Sequence, residues 1–491
     1  MPPLPPRAST VLPLSSQREI YYGGGWHPPA SGAFADTFNP STGEVLGRVA
    51  VGGSADVNAA VAAARLGSAA WQAVAPLERA RILRRIAEVV RQNAGDLAMI
   101  DAANCGNPIR EMTGDAMVAA AQLDFFAGLV TEMKGSSIPM GPDALNFSVR
   151  EPVGVVARIV PFNHPFMFAA GKSAAPLAAG NCVIVKPPDQ APLSALRLAE
   201  LIDGLLPAGV FNVVPGDRDT GAALAAHEQV AMVAIIGSIA AGRSVMRAAS
   251  ETVKRVFLEL GGKNALIAYA DADPARVAEA AVRGMNFAWC GQSCGSTSRA
   301  FVHADIYDDV LERVKDRAAD FVPGIATDPA TTMGALVSQT QLDRVLNYID
   351  IAKREGARLL CGGGRPSDRA LAGGFFLEPT VFADVTSTMT IAREEIFGPV
   401  LAMLKWSDEP RMLEEVNAVP YGLTCAIWTR DLSTAHRTAM KVQAGYVWIN
   451  DVGKHFLGAP FGGVKQSGFG REECLEELLA FTHEKNIHVR L

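Results

Sequence analysis

The chain has little of several features that would assign a protein quickly to a class. Its 491 residues include only seven cysteines, which are odd in number and widely spaced, and this pattern favours reduced thiols over a disulfide framework. No apolar run approaches the roughly 18 residues of a membrane span. With 51 acidic against 45 basic residues there is no excess of positive charge. We therefore expect neither a nucleic-acid partner nor a membrane partner.

Two common ligand-binding patterns are also missing. The chain has no GxGxxG dinucleotide fingerprint, and the spacing CGQSC at Cys290 and Cys294 lacks the second pair that would complete four zinc ligands. We therefore expect no metal. The Pro- and Ser-rich start lacks the unbroken apolar segment of a secretory signal, so residues 1–15 are predicted to form a flexible arm of a cytoplasmic protein.

What is present is typical of a globular α/β protein. The hydrophobic fraction is 49% and the charged fraction 20%, and the length favours two or three domains. Between residues 155 and 260, short β-rich runs such as GVVARIV and NCVIVKP alternate with helical patterns, and a second alternation begins at Ala265. Both predict parallel sheets covered by helices on two faces. Because such sheets bind ligands at the carboxyl ends of their strands, Asn163, Lys186 and Ser238 are candidate site residues.

The segment NFAWCGQSCGSTSR places the thiol of Cys294 in a turn of small residues after an apolar, helix-compatible run. A carbonyl group can approach such a thiol closely, and nearby backbone N–H groups can stabilise charge on its oxygen. A buried, inert cysteine remains the alternative, since free cysteine is often a small core residue. Cys290 competes as the nucleophile, and we prefer Cys294.

Seven motifs, in order, resemble the aldehyde dehydrogenase superfamily. They run from Val160 to Glu472 and read VPFNHP, VKPPD, IIGSIAAG, LELGGKN, GQSC, EEIFGPV and PFGGVKQSGFGRE. The resemblance implies two Rossmann-like parallel-sheet domains plus a small β oligomerisation arm. It assigns residues 16–128 and 150–258 to an NAD-binding domain, residues 259–465 to a catalytic domain, and residues 129–149 and 478–491 to the arm. A homodimer or homotetramer is the family expectation.

The implied reaction is oxidation of an aldehyde to the carboxylic acid. A hydride leaves readily only from a tetrahedral carbon bearing an oxyanion, so a thiolate must first add to the carbonyl, and Cys294 supplies it. The Asn163 amide and the Cys294 N–H would hold the oxyanion, and Glu259 would activate the water that hydrolyses the thioester. By resemblance Lys172 and Glu472 join a proton relay, and Glu472 stays open as the alternative base. A surface Glu259 paired with Lys254 or Lys263 is the other interpretation.

The cofactor expected from the resemblance is NAD, with NADP kept as an alternative. Lys186 and Asp189 would bind the adenosine ribose, although the family usually has glutamate where this chain has Asp189, and an acidic group there disfavours a 2′-phosphate. Glu395 would bind the nicotinamide ribose and Phe397 would pack near the nicotinamide. Taken alone, these residues also fit a solvated lysine, a surface carboxylate and a core phenylalanine. The remaining expected cofactor contacts are Pro161, Phe162, Gly221, Gly237, Ser238, Ala241 and Leu260.

The substrate pocket is predicted from residues near the chemistry. Many family members carry tryptophan where this chain has Gly171, so we expect a roomy apolar pocket for an aromatic or medium-chain aldehyde. Two other functions remain open: transfer of the acyl group to coenzyme A, and a non-catalytic scaffold of the crystallin kind. The presence of Glu259 favours hydrolysis over acyl transfer to coenzyme A. The presence of Asn163, Glu259 and Cys294 together argues against a non-catalytic scaffold. The predicted pocket residues are His164, Met167, Gly171, Phe287, Asp451 and Phe456.

Overall fold

The computed structural model describes residues 12–491, so most of the predicted flexible arm, residues 1–15, lies outside the described residues. The strands within this range number twenty and are short, as expected from the short β-rich runs of the sequence. They are β1 Ile20–Tyr22, β2 Gly25–His27, β3 Phe34–Phe38, β4 Val45–Ala50, β5 Ser137–Pro139, β6 Ala144–Pro152, β7 Val155–Ile159, β8 Cys182–Lys186, β9 Phe211–Val213, β10 Met232–Gly237, β11 Arg255–Leu260, β12 Ala265–Ala268, β13 Arg299–His303, β14 Arg358–Cys361, β15 Thr380–Ala383, β16 Val400–Trp406, β17 Thr424–Trp428, β18 Tyr446–Ile449, β19 Gly468–Phe469 and β20 Thr482–Arg490.

The helices of the same range mostly lie between strands or, at the start, form a run of four. They are α1 Ser54–Ala73, α2 Pro76–Gln92, α3 Ala94–Cys105, α4 Ile109–Gly128, α5 Pro165–Ala178, α6 Leu193–Ile202, α7 Arg218–Ala226, α8 Ile239–Ser250, α9 Pro274–Gly284, α10 Ala304–Ala318, α11 Gln339–Arg354, α12 Thr390–Arg393, α13 Glu409–Asn417, α14 Leu432–Lys441 and α15 Leu475–Ala480. No helix within residues 12–491 combines the length and the apolar character needed to cross a membrane.

Two large sheets organise the molecule. The first has eight strands in the order β19-β11-β10-β7-β8-β9-β1-β2, and its central strands β11, β10, β7, β8 and β9 are parallel. The second has seven strands in the order β14-β15-β16-β13-β12-β17-β18, also largely parallel. Helices pack on both, and each sheet has its own apolar core. The predicted α/β fold with two parallel sheets is therefore confirmed.

A third, three-stranded sheet with the order β20-β6-β5 extends from this body. The last strand pairs with β6 along its whole length, from Thr482 opposite Pro152 to Arg490 opposite Ala144. The predicted domain boundaries stay a prediction. The strand β11 runs across the predicted boundary at 258/259, because Glu259 and Leu260 still belong to the first sheet.

The buried side chain of Asn181 joins the first sheet to the C-terminal segment. Its Nδ2 donates to the carbonyl oxygens of Pro176 at 3.1 Å and Phe481 at 3.0 Å, and its Oδ1 accepts from the N–H of Gly154 at 2.8 Å. A buried backbone group that loses its partner costs about 1–3 kcal/mol. One amide therefore satisfies three backbone groups from different segments.

We expect Asn181→Ala to lower the free energy of unfolding by about 1–3 kcal/mol, because it leaves the N–H of Gly154 unpaired and removes one donor from each of the two carbonyl oxygens, which keep their backbone donors. Urea denaturation followed by circular dichroism measures the change. Gln229→Ala, at an exposed position, is the matched control and should leave the midpoint nearly unchanged. Equal midpoints for the two variants would contradict the assigned role of Asn181.

Candidate active site

Three predicted residues meet at one edge of the first sheet. Asn163 follows β7, Ser238 follows β10, and Glu259 lies near the end of β11, opposite Ile236 of β10. These three strands are parallel neighbours in the sheet. Since the carboxyl ends of neighbouring parallel strands share an edge, their terminal residues face the same crevice.

The segment after β11 seats the thiol loop against this edge. A Cβ added to Gly262 would lie 2.7 Å from the carbonyl oxygen of Cys294, so only glycine leaves room for the loop. The Nδ2 of Asn264 donates to the carbonyl oxygens of Cys294 at 2.7 Å and Ser296 at 3.0 Å. Its Oδ1 accepts from the N–H of Thr424 at 3.0 Å, which ties the loop to the second sheet. The motif LELGGKN therefore holds the carboxylate and positions the thiol.

Cys294, Glu259 and Asn163 line one cavity of about 170 Å³ between the two sheets. Glu259 and Asn163 are almost fully buried, whereas Cys294 is partly exposed. The other residues that line this cavity are Pro161, Phe162, Ile236, Gly237, Ser238, Gly261, Gln341, Arg344, Glu395 and Phe397. The predicted catalytic residues are thus brought together, and Gln341 and Arg344 are lining residues that carried no sequence signal.

The thiol of Cys294 and the carboxylate of Glu259 lie close enough for each to shift the pKa of the other. Burial, helped by the nearby Glu472 carboxylate, raises the pKa of Glu259 to about 8. Burial and the charge of Glu259 also raise the pKa of the Cys294 thiol well above its usual value. The two groups therefore hold at least one proton between them near neutral pH, and Glu259 becomes a proton acceptor as the pH rises through its own pKa.

The alternative pairing of Glu259 with a lysine is wrong. The Nζ of Lys254 donates to the carbonyl oxygen of His227 at 2.5 Å. The Nζ of Lys263 is buried without a hydrogen-bond partner in the part of the chain that the structure describes, and burial lowers its pKa to about 7. Neither lysine neutralises the carboxylate beside Cys294.

Cys290, the competing thiol, is 0% exposed and lies in a core cluster of the second sheet. Its Sγ donates to the carbonyl oxygen of Gly334 at 3.1 Å, and burial raises its pKa. An inert, protonated thiol in this position fits a structural cysteine. The structure therefore places Cys294 in the cavity and Cys290 outside it.

The backbone around Asn163 is fixed by residues that the sequence did not single out. The Nδ2 of Asn107 donates to the carbonyl oxygen of Asn163 at 2.8 Å, and the Oδ2 of Asp101 accepts from the N–H of Phe166 at 2.9 Å in the first turn of α5. These contacts come from the helical segment 94–128, which is distant in sequence. They hold the strand-to-helix turn so that the Asn163 amide stays in the cavity wall.

Lys172 and Glu472, the predicted relay residues, form a buried ion pair. The Nζ of Lys172 lies 2.9 Å from the Oε2 of Glu472, and both residues are 2% exposed. Burial alone would lower the pKa of Lys172, but three neighbouring carboxylates outweigh it and hold the pKa above its ordinary value. The charge of Glu472 also raises the pKa of Glu259.

A second cavity, of about 400 Å³, continues along the edge of the first sheet and shares Ser238 with the first. Of the predicted cofactor residues, Lys186, Gly221, Ser238 and Ala241 line it. Asp217 and Arg218 also line it and were not predicted, although Asp217 follows the strand run FNVV and caps α7 through the N–H groups of Asp219 and Thr220.

This pair of cavities fits an extended dinucleotide. The first N–H groups of α8 point toward the shared region, where a helix N-terminus favours a phosphate. At the other end, the Oε1 of Glu395 accepts from the N–H of Gly262 at 2.9 Å, and the ring of Phe397 packs edge-on against Phe162 at 5.7 Å. A Cβ at Gly261 would lie 2.0 Å from Glu395, so that glycine is needed for the carboxylate to reach the cavity.

Two predicted cofactor residues do not line either cavity. Asp189 is exposed, and its carboxylate, with that of Asp217, partly offsets the effect of burial, which lowers the pKa of Lys186. Leu260 is buried under α8, where a Cβ at Gly242 would meet its side chain at 2.6 Å. Asp217 is therefore a second carboxylate near Lys186, in addition to Asp189.

The predicted opening at Gly171 is wrong. A Cβ at Gly171 would lie 2.0 Å from the Oε1 of Gln122 on α4, so a buried carboxamide fills the space that an indole would occupy. Phe287 is also misassigned, because it is 0% exposed and packs in the core of the second sheet against Phe321 at 5.8 Å. Neither prediction could account for side chains contributed by distant helices.

The other predicted pocket residues lie in two places. His164 and the half-buried Met167 are at the start of α5, and the Nδ1 of His164 lies 2.7 Å from the Oδ2 of Asp115. Asp451 is at the molecular surface and pairs with Arg283 and Lys454, and Phe456 is 59% exposed on the following loop. Among residues 12–491, no group of three or more histidine, cysteine or acidic side chains is arranged to hold a metal ion.

We expect Glu259→Gln to shift the alkylation of Cys294 by iodoacetamide to lower pH. The carboxylate charge opposes the thiolate, so its removal favours ionisation of the thiol above the Glu259 pKa of about 8. Mass spectrometry of the modified peptide between about pH 7 and pH 10 measures the profile. Cys290→Ala should keep the wild-type profile, and a shift to higher pH in Glu259→Gln would contradict the assigned contact.

Comparison with known proteins agrees with this geometry. The model of the aldehyde dehydrogenase family matches residues 26–487. Aldehyde dehydrogenase tropH of Talaromyces stipitatus is 50% identical over 499 aligned positions, covering 100% of this chain and 96% of that protein.

Solved structures superpose closely as well. An aldehyde dehydrogenase of Bacillus cereus, in its NAD+ complex, is 37% identical with a TM-score of 0.94 and coverage of 97% of both chains. The indole-3-acetaldehyde dehydrogenase AldA of P. syringae, in complex with NAD+ and IAA, is 38% identical with the same TM-score and coverage. The predicted family and fold class are therefore confirmed, and the chain belongs to the aldehyde dehydrogenase family.

Proposed function

We propose that the protein oxidises an aldehyde to the carboxylic acid with NAD, through a thioester on Cys294. The observation that carries this proposal is the arrangement of Cys294, Glu259 and Asn163 around one cavity. A nucleophile, a base and an oxyanion donor are the groups that the reaction requires.

The trough formed by the two cavities would hold the cofactor. Lys186, Gly221 and Ser238 lie toward one end and Glu395 and Phe397 toward the end nearer Cys294. When bound, NAD supplies the hydride acceptor. The two neighbouring structures solved with NAD+ support this choice over NADP, as does the Asp217 carboxylate, which would repel a 2′-phosphate.

In the first half-reaction the sulfur of Cys294 adds to the aldehyde carbon. Its proton passes to the Glu259 carboxylate, which lines the same cavity. The carbonyl oxygen becomes an oxyanion, and the Asn163 amide in the cavity wall donates to it. Asn107 contributes indirectly, because it fixes the Asn163 backbone at 2.8 Å.

Departure of a hydride from the former aldehyde carbon to the bound cofactor would leave the thioester on Cys294. In the second half-reaction, once Glu259 has released the thiol proton, water attacks this thioester. Glu259 takes the water proton, the C–S bond breaks, and the electron pair returns to the sulfur. A base with a pKa of about 8 is well matched to this step near neutral pH. The position of Glu259 beside the thiol supports hydrolysis over transfer to coenzyme A. It also favours Glu259 over Glu472 as the base, since Glu472 is engaged with Lys172.

We propose an aromatic aldehyde as the preferred substrate. Next to Asn163 in the sequence, the ring of His164 packs edge-on against Trp289 at 5.1 Å and Phe168 at 5.3 Å, which places aromatic rings near the proposed oxyanion donor. The neighbour AldA of P. syringae acts on indole-3-acetaldehyde, which supports the same class. Because Gln122 fills the space at Gly171, we expect selectivity rather than broad tolerance.

The proposal also includes an oligomeric state and a cellular location. The strand β20 is the outer strand of the small sheet, and exposed apolar side chains such as Ile138, Leu145 and Val489 lie on that sheet, which fits a homodimer or homotetramer. The seven cysteines are all free thiols, which supports a cytoplasmic location.

We expect Cys294→Ala to abolish NADH formation, because no other thiol reaches the cavity, and to leave NAD binding within about threefold of wild type since the thiol is not a binding group. Asn163→Ala should lower kcat by about 10²–10³-fold through loss of one oxyanion donor. NADH absorbance and titration calorimetry measure the two effects. Cys290→Ala is the matched control, and NADH formation by Cys294→Ala at the wild-type rate would overturn the proposal.

For the substrate class, we expect kcat/KM to fall in the order benzaldehyde, hexanal, acetaldehyde. The reason is that the rings of His164, Trp289 and Phe168 would favour the aromatic ring of benzaldehyde. A spread of at least about tenfold in kcat/KM across the series corresponds to roughly 1.4 kcal/mol of differential transition-state binding.

The same assay with NADP in place of NAD tests the choice of cofactor. A clear preference for acetaldehyde would count against an aromatic substrate.

A further inference from the structure

Behind Glu259 lies a cluster of buried charged side chains that reaches beyond the pair Lys172 and Glu472. Each member is at most 8% exposed, although charged residues are rarely buried without a reason. With Glu259 included, two cations face four carboxyl groups, so the cluster approaches neutrality only if about two of the carboxyls carry protons. The other members are Arg158, Lys172, Glu472, Glu473 and Glu477.

The carboxylate of Glu473 connects this cluster to the surface. Its Oε1 lies 3.7 Å from the Nζ of Lys172, and its Oε2 lies 3.3 Å from the Nδ1 of His455. Burial raises the pKa of Glu473, but Lys172 and His455 together outweigh burial and bring the pKa below its ordinary value. Glu473 is therefore held between an interior cation and a surface imidazole.

His455 is the outermost group of this series. Its side chain is 37% exposed, whereas that of Glu473 is 11% exposed. One face of the ring packs near Phe461, with centroids 4.3 Å apart, and the ring stacks on Tyr446 at 5.8 Å. These contacts orient the imidazole while leaving it in contact with solvent.

Two interior carboxylate oxygens are free to exchange protons. The Oε1 atoms of Glu259 and Glu472 are buried, and neither has a hydrogen-bond partner among the residues that the structure describes. The guanidinium of Arg158 is 3.5 Å from the Oε1 of Glu472, too far for a good hydrogen bond. A proton can therefore occupy either oxygen without breaking an existing hydrogen bond.

The proposed reaction needs such a route. Aldehyde, NAD+ and water give carboxylate, NADH and two protons, and the base Glu259 is 3% exposed. The protons taken up by Glu259 must leave before the next turnover. A buried base without an exit would stay protonated and inactive.

We propose that Glu473 and His455 form the exit through which protons from Glu259 reach solvent. The proton on Glu259 moves to Glu472. Lys172 gives one of its three protons to Glu473 and takes the proton of Glu472 in its place, and Glu473 passes its proton to Nδ1 of His455. His455 releases a proton from Nε2, and proton exchange with solvent restores its starting tautomer, so one proton crosses the cluster in each cycle.

This inference rests on the proposed function, and its test separates the two. The variant His455→Phe keeps the ring packing against Phe461 and Tyr446 but cannot carry a proton. In dilute buffer we expect its kcat to fall about tenfold, with release of protons to a pH-indicator dye lagging behind NADH formation in stopped flow. Added imidazole should restore kcat to within about twofold of wild type, because it replaces the missing surface group.

The variant Glu473→Gln interrupts the buried part of the route. We expect a similar fall in kcat without rescue by imidazole, since a small base in solvent cannot reach a group that is 8% exposed. His436→Phe, at an exposed histidine outside the cluster, is the matched control and should behave as wild type.

Three outcomes would overturn the inference: wild-type proton release in both variants, a loss of activity in His455→Phe that imidazole does not repair, or wild-type kcat in Glu473→Gln. A wild-type kcat in Glu473→Gln would overturn the inference even if His455→Phe fails to fold. Failure of the proposed function looks different, because the wild-type protein would then form no NADH from any aldehyde.

Discussion

The carboxamide of Asn264 is the contact on which the site depends most directly. It is 3% exposed and uses both of its polar ends: Nδ2 holds the carbonyl groups of the thiol loop, and Oδ1 holds the N–H of Thr424 in the second sheet. Five residues earlier on the same stretch, Glu259 still belongs to the first sheet. One short segment therefore fixes the Glu259 carboxylate of one sheet relative to the Cys294 thiol carried by the other, and the intervening glycines allow the approach.

Burial of the charged side chains around the site is unfavourable for the free energy of folding. Removing several carboxyl groups and two cations from water is unfavourable unless they are paired. Part of the cost is offset by the contact of Lys172 with Glu472, and part is avoided because burial keeps carboxyls such as Glu259 protonated near neutral pH. The fold thus keeps groups near the thiol that can gain or lose protons at little further cost.

Much of the fold followed from local patterns, because strand-turn-helix units are encoded within short stretches. The residues Asn163, Ser238 and Glu259 were predictable since each follows or ends an apolar strand, and parallel strands bring such positions to one edge. The ends of the helices were harder to predict. Apolar residues between Leu77 and Gly95 recur at helical spacing, which alone indicates one helix, whereas α2 ends at Gln92 and a separate helix, α3, follows in an alanine-rich stretch with weak periodicity.

What could not be predicted depends on contacts between distant segments. Nothing near Asn107 or Gln122 in sequence indicates that their side chains reach α5 and the turn before it. Likewise, Glu473 follows Glu472 directly, and only the tertiary arrangement shows that it contacts both Lys172 and His455. Asp217 marks a helix start in the sequence, but its place at the cofactor trough required the packing of α7 beside α8.

The contact between Gln122 and Gly171 has a consequence for how such pockets diverge. Because the amide oxygen lies where a Cβ would be, a larger residue at 171 requires the side chain of Gln122 to move, and a small residue at 122 alone would leave a void. The residue at 122 therefore decides how much of the space beside 171 is filled, and the residue at 171 alone does not give the size of the pocket.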